Sequence, residues 1–173
     1  MKRLAILASM ILFSIASLQG AQPKQLNIID YFLRLPPKYF DGPPADWLGF
    51  LRQRNCGVVD VEHGYISCFG DGAQPGFEVA LFRYCDGGPL LAVCSNELEG
   101  PNSVYLDFFE VAENGKMRKA GRSIFPVSDA GNDKGSWRFE LPRHGKTVLV
   151  RNQSNRKIQR KLRWNGERFL GEK

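Results

Sequence analysis

The chain has 173 residues, 24 Lys and Arg against 18 Asp and Glu, a formal charge of +6 and 43% hydrophobic content. Once a leader is removed, about 150 residues remain, enough for one domain with one core, and a second domain is not expected. Apart from the first twenty-one residues no long apolar stretch occurs, which argues against a polytopic membrane protein.

Met1, Lys2 and Arg3 supply a positive start, and Leu4 to Leu18 form a run without a charge. That pattern predicts a cleaved export signal over 1–21, with Ser14-Ile15-Ala16 as an alternative cleavage motif to a cut after Ala21. No cysteine follows the run to carry a lipid, so the expected product is soluble, periplasmic or secreted, with no membrane span. It would carry 22 basic and 18 acidic residues, unevenly spread. From Arg138 to Lys173 there are 11 Lys and Arg against three Glu, whereas Gln22 to Trp137 holds 11 basic and 15 acidic residues.

Residues 22–55 read as the helical segment of the same domain. Asn27 stands as an N-cap before Ile28, Ile29, Phe32 and Leu33, whose spacing is helical, and Pro36-Pro37 ends that helix. A second helix begins at Pro43-Pro44-Ala45-Asp46, places Trp47, Leu48 and Leu51 on one side and ends near Asn55.

Residues 56–173 change to short β-rich runs separated by polar-glycine dipeptides: His63-Gly64, Asp86-Gly87, Asn114-Gly115, His144-Gly145 and Asn165-Gly166. These are hairpin turns, with the residue before the glycine a candidate for the left-handed conformation. The runs predict strands at 57–61, 65–69, 78–84, 90–95, 104–111, 116–125, 137–141, 147–152, 157–164 and 167–170. The fold class is therefore mainly β (α+β): two short helices covering an antiparallel meander of about ten strands, open or partly closed as a barrel. Aromatic residues on both faces of the 78–84 and 104–111 strands suggest partial shelter on the second face.

Cys56, Cys68, Cys85 and Cys94 form an even set that suits disulfides in an exported chain, and sequential pairing, Cys56 with Cys68 and Cys85 with Cys94, is expected from adjacent strands. No C-x-x-C, H-E-x-x-H, G-x-S-x-G or Walker pattern occurs, so no cofactor, metal or catalytic residue is assigned. His63 and His144 suit their turns; a metal pair or acid and base would need two distant tips to converge. Asp129, Asn132 and Asp133 lie in an oxygen-rich loop without EF-hand spacing.

In the 157–164 strand Lys157, Lys161 and Arg163 share one face with Gln159 between them, while Ile158, Leu162 and Trp164 take the other. With Arg151, Arg156 and Arg160 nearby, these positions form a candidate anion-binding stripe, and the same charges would also protect a sheet edge from aggregation. The export signal and the absence of a recognition motif argue against nucleic acid as the partner, leaving an anionic protein or envelope polymer. The alternative is a wall or glycan hydrolase using carboxylates such as Asp71, Glu78, Asp107 and Glu110, which requires two carboxyls at catalytic separation.

The succession LFRYCDGG, LDFFEVAENGKM, SIFPV, WRFELPRHGKTVLVR and LRWNGERF loosely resembles uncharacterised small exported bacterial proteins that end in a W-N-G-x-x-F hairpin. The likeness covers Gly64 to Leu170 and implies an exported β-rich domain, with no site residues to carry across.

Overall fold

In a computed structural model, residues 25–40, 42–54, 56–70, 76–96, 104–127 and 137–172 are described. The anticipated signal over 1–21 lies outside them. Helix α1 (Ile28–Phe32) is capped as expected: the Asn27 side chain accepts from the Ile29 and Asp30 amides, and Asp30 accepts in return from the Asn27 amide. Helix α2 spans Pro44–Arg54, and a 3-10 turn at Pro37–Tyr39 connects the two. No helix among the described residues is long and apolar enough to cross a membrane.

The strands are β1 (Gly57–Asp60), β2 (Tyr65–Cys68), β3 (Phe77–Arg83), β4 (Pro89–Asn96), β5 (Val104–Val111), β6 (Met117–Lys119), β7 (Trp137–Glu140), β8 (Thr147–Asn152), β9 (Ile158–Trp164) and β10 (Phe169–Gly171). Among the described residues all pairings are antiparallel between sequence neighbours, but they form two sheets, β1 to β6 and β7 to β10, neither closed. The expected single sheet or part-closed barrel is thus corrected to two stacked meanders. Twisted open sheets of about ten strands tend to split into two packed sheets. Here the division falls after β6, which is three residues long rather than the expected 116–125 strand. The Ala120 amide still donates to the Phe108 carbonyl, a 3-10 turn follows at Arg122–Ile124, and Phe125 then enters the inter-sheet core.

Period-two alternation in the six-stranded sheet assigns each face. Val79, Leu91, Val93 and Phe109 pack with Ile28, Phe32, Trp47 and Leu51 of the helices. Ala80, Phe82, Leu90, Ala92, Leu106 and Phe108 pack with Phe139, Val148, Val150, Leu162, Trp164 and Phe169 of the other sheet. The domain is therefore three layers: helices, six strands, four strands. Arg83 ties the helical layer down, its guanidinium donating to the Leu26 carbonyl at 3.1 Å and to the Tyr31 hydroxyl at 3.4 Å.

In all five polar-glycine turns the positive φ belongs to the glycine, 67° at Gly64 and 102° at Gly166, so the preceding residue needs no left-handed conformation. At Gly166 a Cβ would also stand 2.5 Å from Cys85 Sγ. Asn165 accepts from the Glu167 and Arg168 amides, which widens this turn and delays β10 to Phe169.

No disulfide joins the cysteines, contrary to the expected pairing. Cys94 stands opposite Glu78, whereas Cys85 lies in the β3–β4 turn beyond Arg83, the far end of β3 and roughly 17 Å of extended strand from Glu78. Cys68 stands opposite Gly57 rather than Cys56, and the Cys56 carbonyl accepts from the Phe69 amide.

Trp164 connects the sheets. It is 1% exposed, its ring centroid lies 5.3 Å from Tyr84 and 5.0 Å from Phe169, and its indole N–H donates to the Arg83 carbonyl at 2.7 Å. Trp164→Ala should lower stability by about 3–5 kcal/mol. Trp164→Phe should cost less than that; chemical denaturation of both variants measures the difference, and equal losses would show that the carbonyl contact rather than packing dominates.

Candidate functional site

The basic surface follows from register. In the four-stranded sheet Trp137, Phe139, Val148, Val150, Leu162, Trp164 and Phe169 are buried, so their alternates face away from the core. Arg138 lies opposite Arg151, Leu149 opposite Lys161, and Thr147 opposite Arg163. Arg151 Nε is 2.7 Å from Glu140, and Arg163 is 3.7 Å from Glu172. Lys161 makes no ion pair among the described residues. Opposed arginines repel, and Glu140 beside Arg151 relieves that repulsion.

The six residues of the expected stripe share neither one face nor one end of the sheet: Arg151, Arg156 and Lys157 lie at the β8–β9 turn, whereas Arg163 stands opposite Thr147 at the far end of β8. Lys161 and Arg163 lie on the outer face, while Arg156 and Lys157 belong to the exposed β8–β9 turn, where Arg156 has φ 59°. A bulge corrects the expected alternation: Val150 pairs with Arg160 but Arg151 pairs with Ile158, so Gln159 is extra. Ile158 therefore sits with outward Arg151 and is 42% exposed instead of joining Leu162 and Trp164. Arg160, opposite buried Val150, is nevertheless exposed.

The carboxylates proposed for hydrolysis do not converge. Asp71 lies outside the described residues, as do Asp129, Asn132 and Asp133. Asp107 stands opposite Val93 on the helix-facing side and is paired with Lys119 at 2.7 Å. Glu110 is opposite Leu90 on the other side, paired with Arg118 at 3.1 Å. Glu78 is opposite Cys94, four positions along β4 from Leu90, or roughly 13 Å.

Sequence reasoning missed the junction between the sheets at the β1–β2 and β7–β8 tips. There His63 and His144 lie with ring centroids 4.3 Å apart, the convergence that their turn positions did not disclose. Asp60 accepts from Arg143 Nε at 2.7 Å, from the His63 amide at 3.1 Å and from His63 Nδ1 at 3.0 Å. Arg143, followed by the His63 amide, holds the Asp60 carboxyl well below the usual carboxylate range. Asp60 is therefore an acceptor and His63 Nδ1 a donor. An open groove lined by Asn27, Glu62, His63 and Arg83 adjoins the tip. No group of three or more His, Cys, Asp or Glu among the described residues is arranged to hold a metal ion.

A second carboxylate secures the same end of β7: Glu78 accepts from the Leu141 amide at 2.6 Å. Burial pushes its carboxyl up to about 7, against the lowering effect of that amide, with Glu140 raising and Arg138 lowering it further. Burial, then the Glu78 charge, also pushes the neighbouring Tyr65 phenol up.

No family model matches the chain, and neither a curated protein nor a solved structure does.

Because the folded Glu78 binds its proton more tightly than an unfolded glutamate of pKa 4.5, its contribution to stability is full below about 4.5 and is lost as pH rises through about 7. Relative to Glu78→Gln, the parent should therefore lose on the order of 3 kcal/mol between pH 4.5 and 8. Parallel stability profiles for the two chains would refute this.

Proposed function

We propose that the protein is an exported, non-catalytic binding domain that engages an anionic protein or envelope polymer through the outer face and β8–β9 corner of its four-stranded sheet. The observation carrying this reading is the segregation of charge by layer. The sequence from Arg138 onward has 11 basic and three acidic residues and forms nearly the whole four-stranded sheet, whereas the described residues of the helices and the six-stranded sheet include nine basic and nine acidic residues. Lys161 and Arg163 lie side by side with the outward residues of β8, and Arg156, Lys157 and Arg160 extend the field around the corner. Such a field strengthens attraction for a polyanion, and salt weakens it. Glu78, Asp107 and Glu110 stand apart from one another in the six-stranded sheet, which favours the binding reading over the hydrolase alternative.

Immobilised heparin serves as a polyanion probe. The parent chain should elute at substantially higher salt than a variant carrying Arg160→Glu, Lys161→Glu and Arg163→Glu. A control with Arg34→Glu, Arg52→Glu and Lys116→Glu, all exposed on the other layers, has the same net charge and should remain close to the parent. Equal elution of the two triple variants would mean that net charge alone governs retention and would overturn the assigned face.

A further inference from the structure

The paired hairpin tips carry more than a structural contact. His63 Nδ1 donates to Asp60, at 3.0 Å from Oδ1 and 3.1 Å from Oδ2, and Asp60 is braced from the opposite sheet by Arg143. A carboxylate on Nδ1 sets the tautomer, leaving the lone pair on Nε2, the arrangement found when histidine is a metal ligand. Both rings are accessible: the His63 side chain is 42% exposed and His144 is exposed.

The His63 and His144 ring centroids are 4.3 Å apart with planes at 79°, close enough for one ion to reach a nitrogen of each ring once the side chains turn toward it. We propose that His63 and His144 form an open two-imidazole site for a divalent transition ion, a nitrogen donor pair that suits Cu(II) or Ni(II), with water filling the remaining positions. Asp60 is a positioning residue: it orients His63 and offsets the positive charge of Arg143.

Calorimetric titration of the full chain with nickel chloride, in a buffer that does not bind metals, should show saturable binding of one ion. Affinity should fall at least about tenfold in His63→Ala and in His144→Ala, and about tenfold in Asp60→Asn. For copper, Cys85→Ser removes an exposed thiol that would reduce the ion. Electron paramagnetic resonance of that chain, with both histidines intact, should show a tetragonal Cu(II) signal split by two imidazole nitrogens, a readout that survives any folding defect in the alanine variants. Splitting by a single nitrogen, or undiminished nickel binding in the His63→Ala/His144→Ala double variant, would overturn the proposal.

Discussion

Strands β3, β4 and β5 are apolar on both faces, and that constraint organises the molecule. Val79, Leu91, Val93 and Phe109 need one cover, and Ala80, Phe82, Leu90 and Phe108 need another. A sheet with one solvated face could stand behind a single layer, whereas this one requires two. The helices provide the first, through Ile28, Phe32, Trp47 and Leu51, and the C-terminal four strands provide the second. Contacts such as the Trp164 indole on the Arg83 carbonyl fix how the second layer sits.

Because the four-stranded sheet is a cover, it is apolar on one face only. Its outward positions carry the basic residues of the C-terminal segment, with Glu140 and Glu172 as local counter-charges. Stacking thus turns a charge gradient along the sequence into a charge difference between layers. The same stacking brings the β7–β8 end against the β1–β2 tip and β3, where Asp60 and Glu78 hold Arg143 and the Leu141 amide. The junction is polar because it lies at the rim, beyond the aromatic core.

The helices were legible because their determinants are local: Asn27 and Asp30 form a capping box within one turn, and Pro44 opens α2. Strand alternation in β3 and β5 was equally clear, and so was the presence of glycine at each turn. The end of β6 was obscure because Ile124 and Phe125 are apolar, and only the inter-sheet core explains why the chain leaves the strand before them. Gln159 carries no mark of a bulge; the register against β8 creates it. The cysteine pairing failed because nearness in sequence does not place two side chains opposite each other on adjacent strands.

The amino-acid sequence by itself determined the helix starts, the faces of the long strands, the turn glycines and the basic character of the C-terminal segment, since each depends on neighbours a few residues away. Tertiary structure alone decided that ten strands divide into two sheets, that Arg138, Arg151, Lys161 and Arg163 share a surface, and that His63 meets His144 beside Asp60. These juxtapositions depend on which apolar face packs against which, and that is settled only when distant segments compete to bury the same sheet.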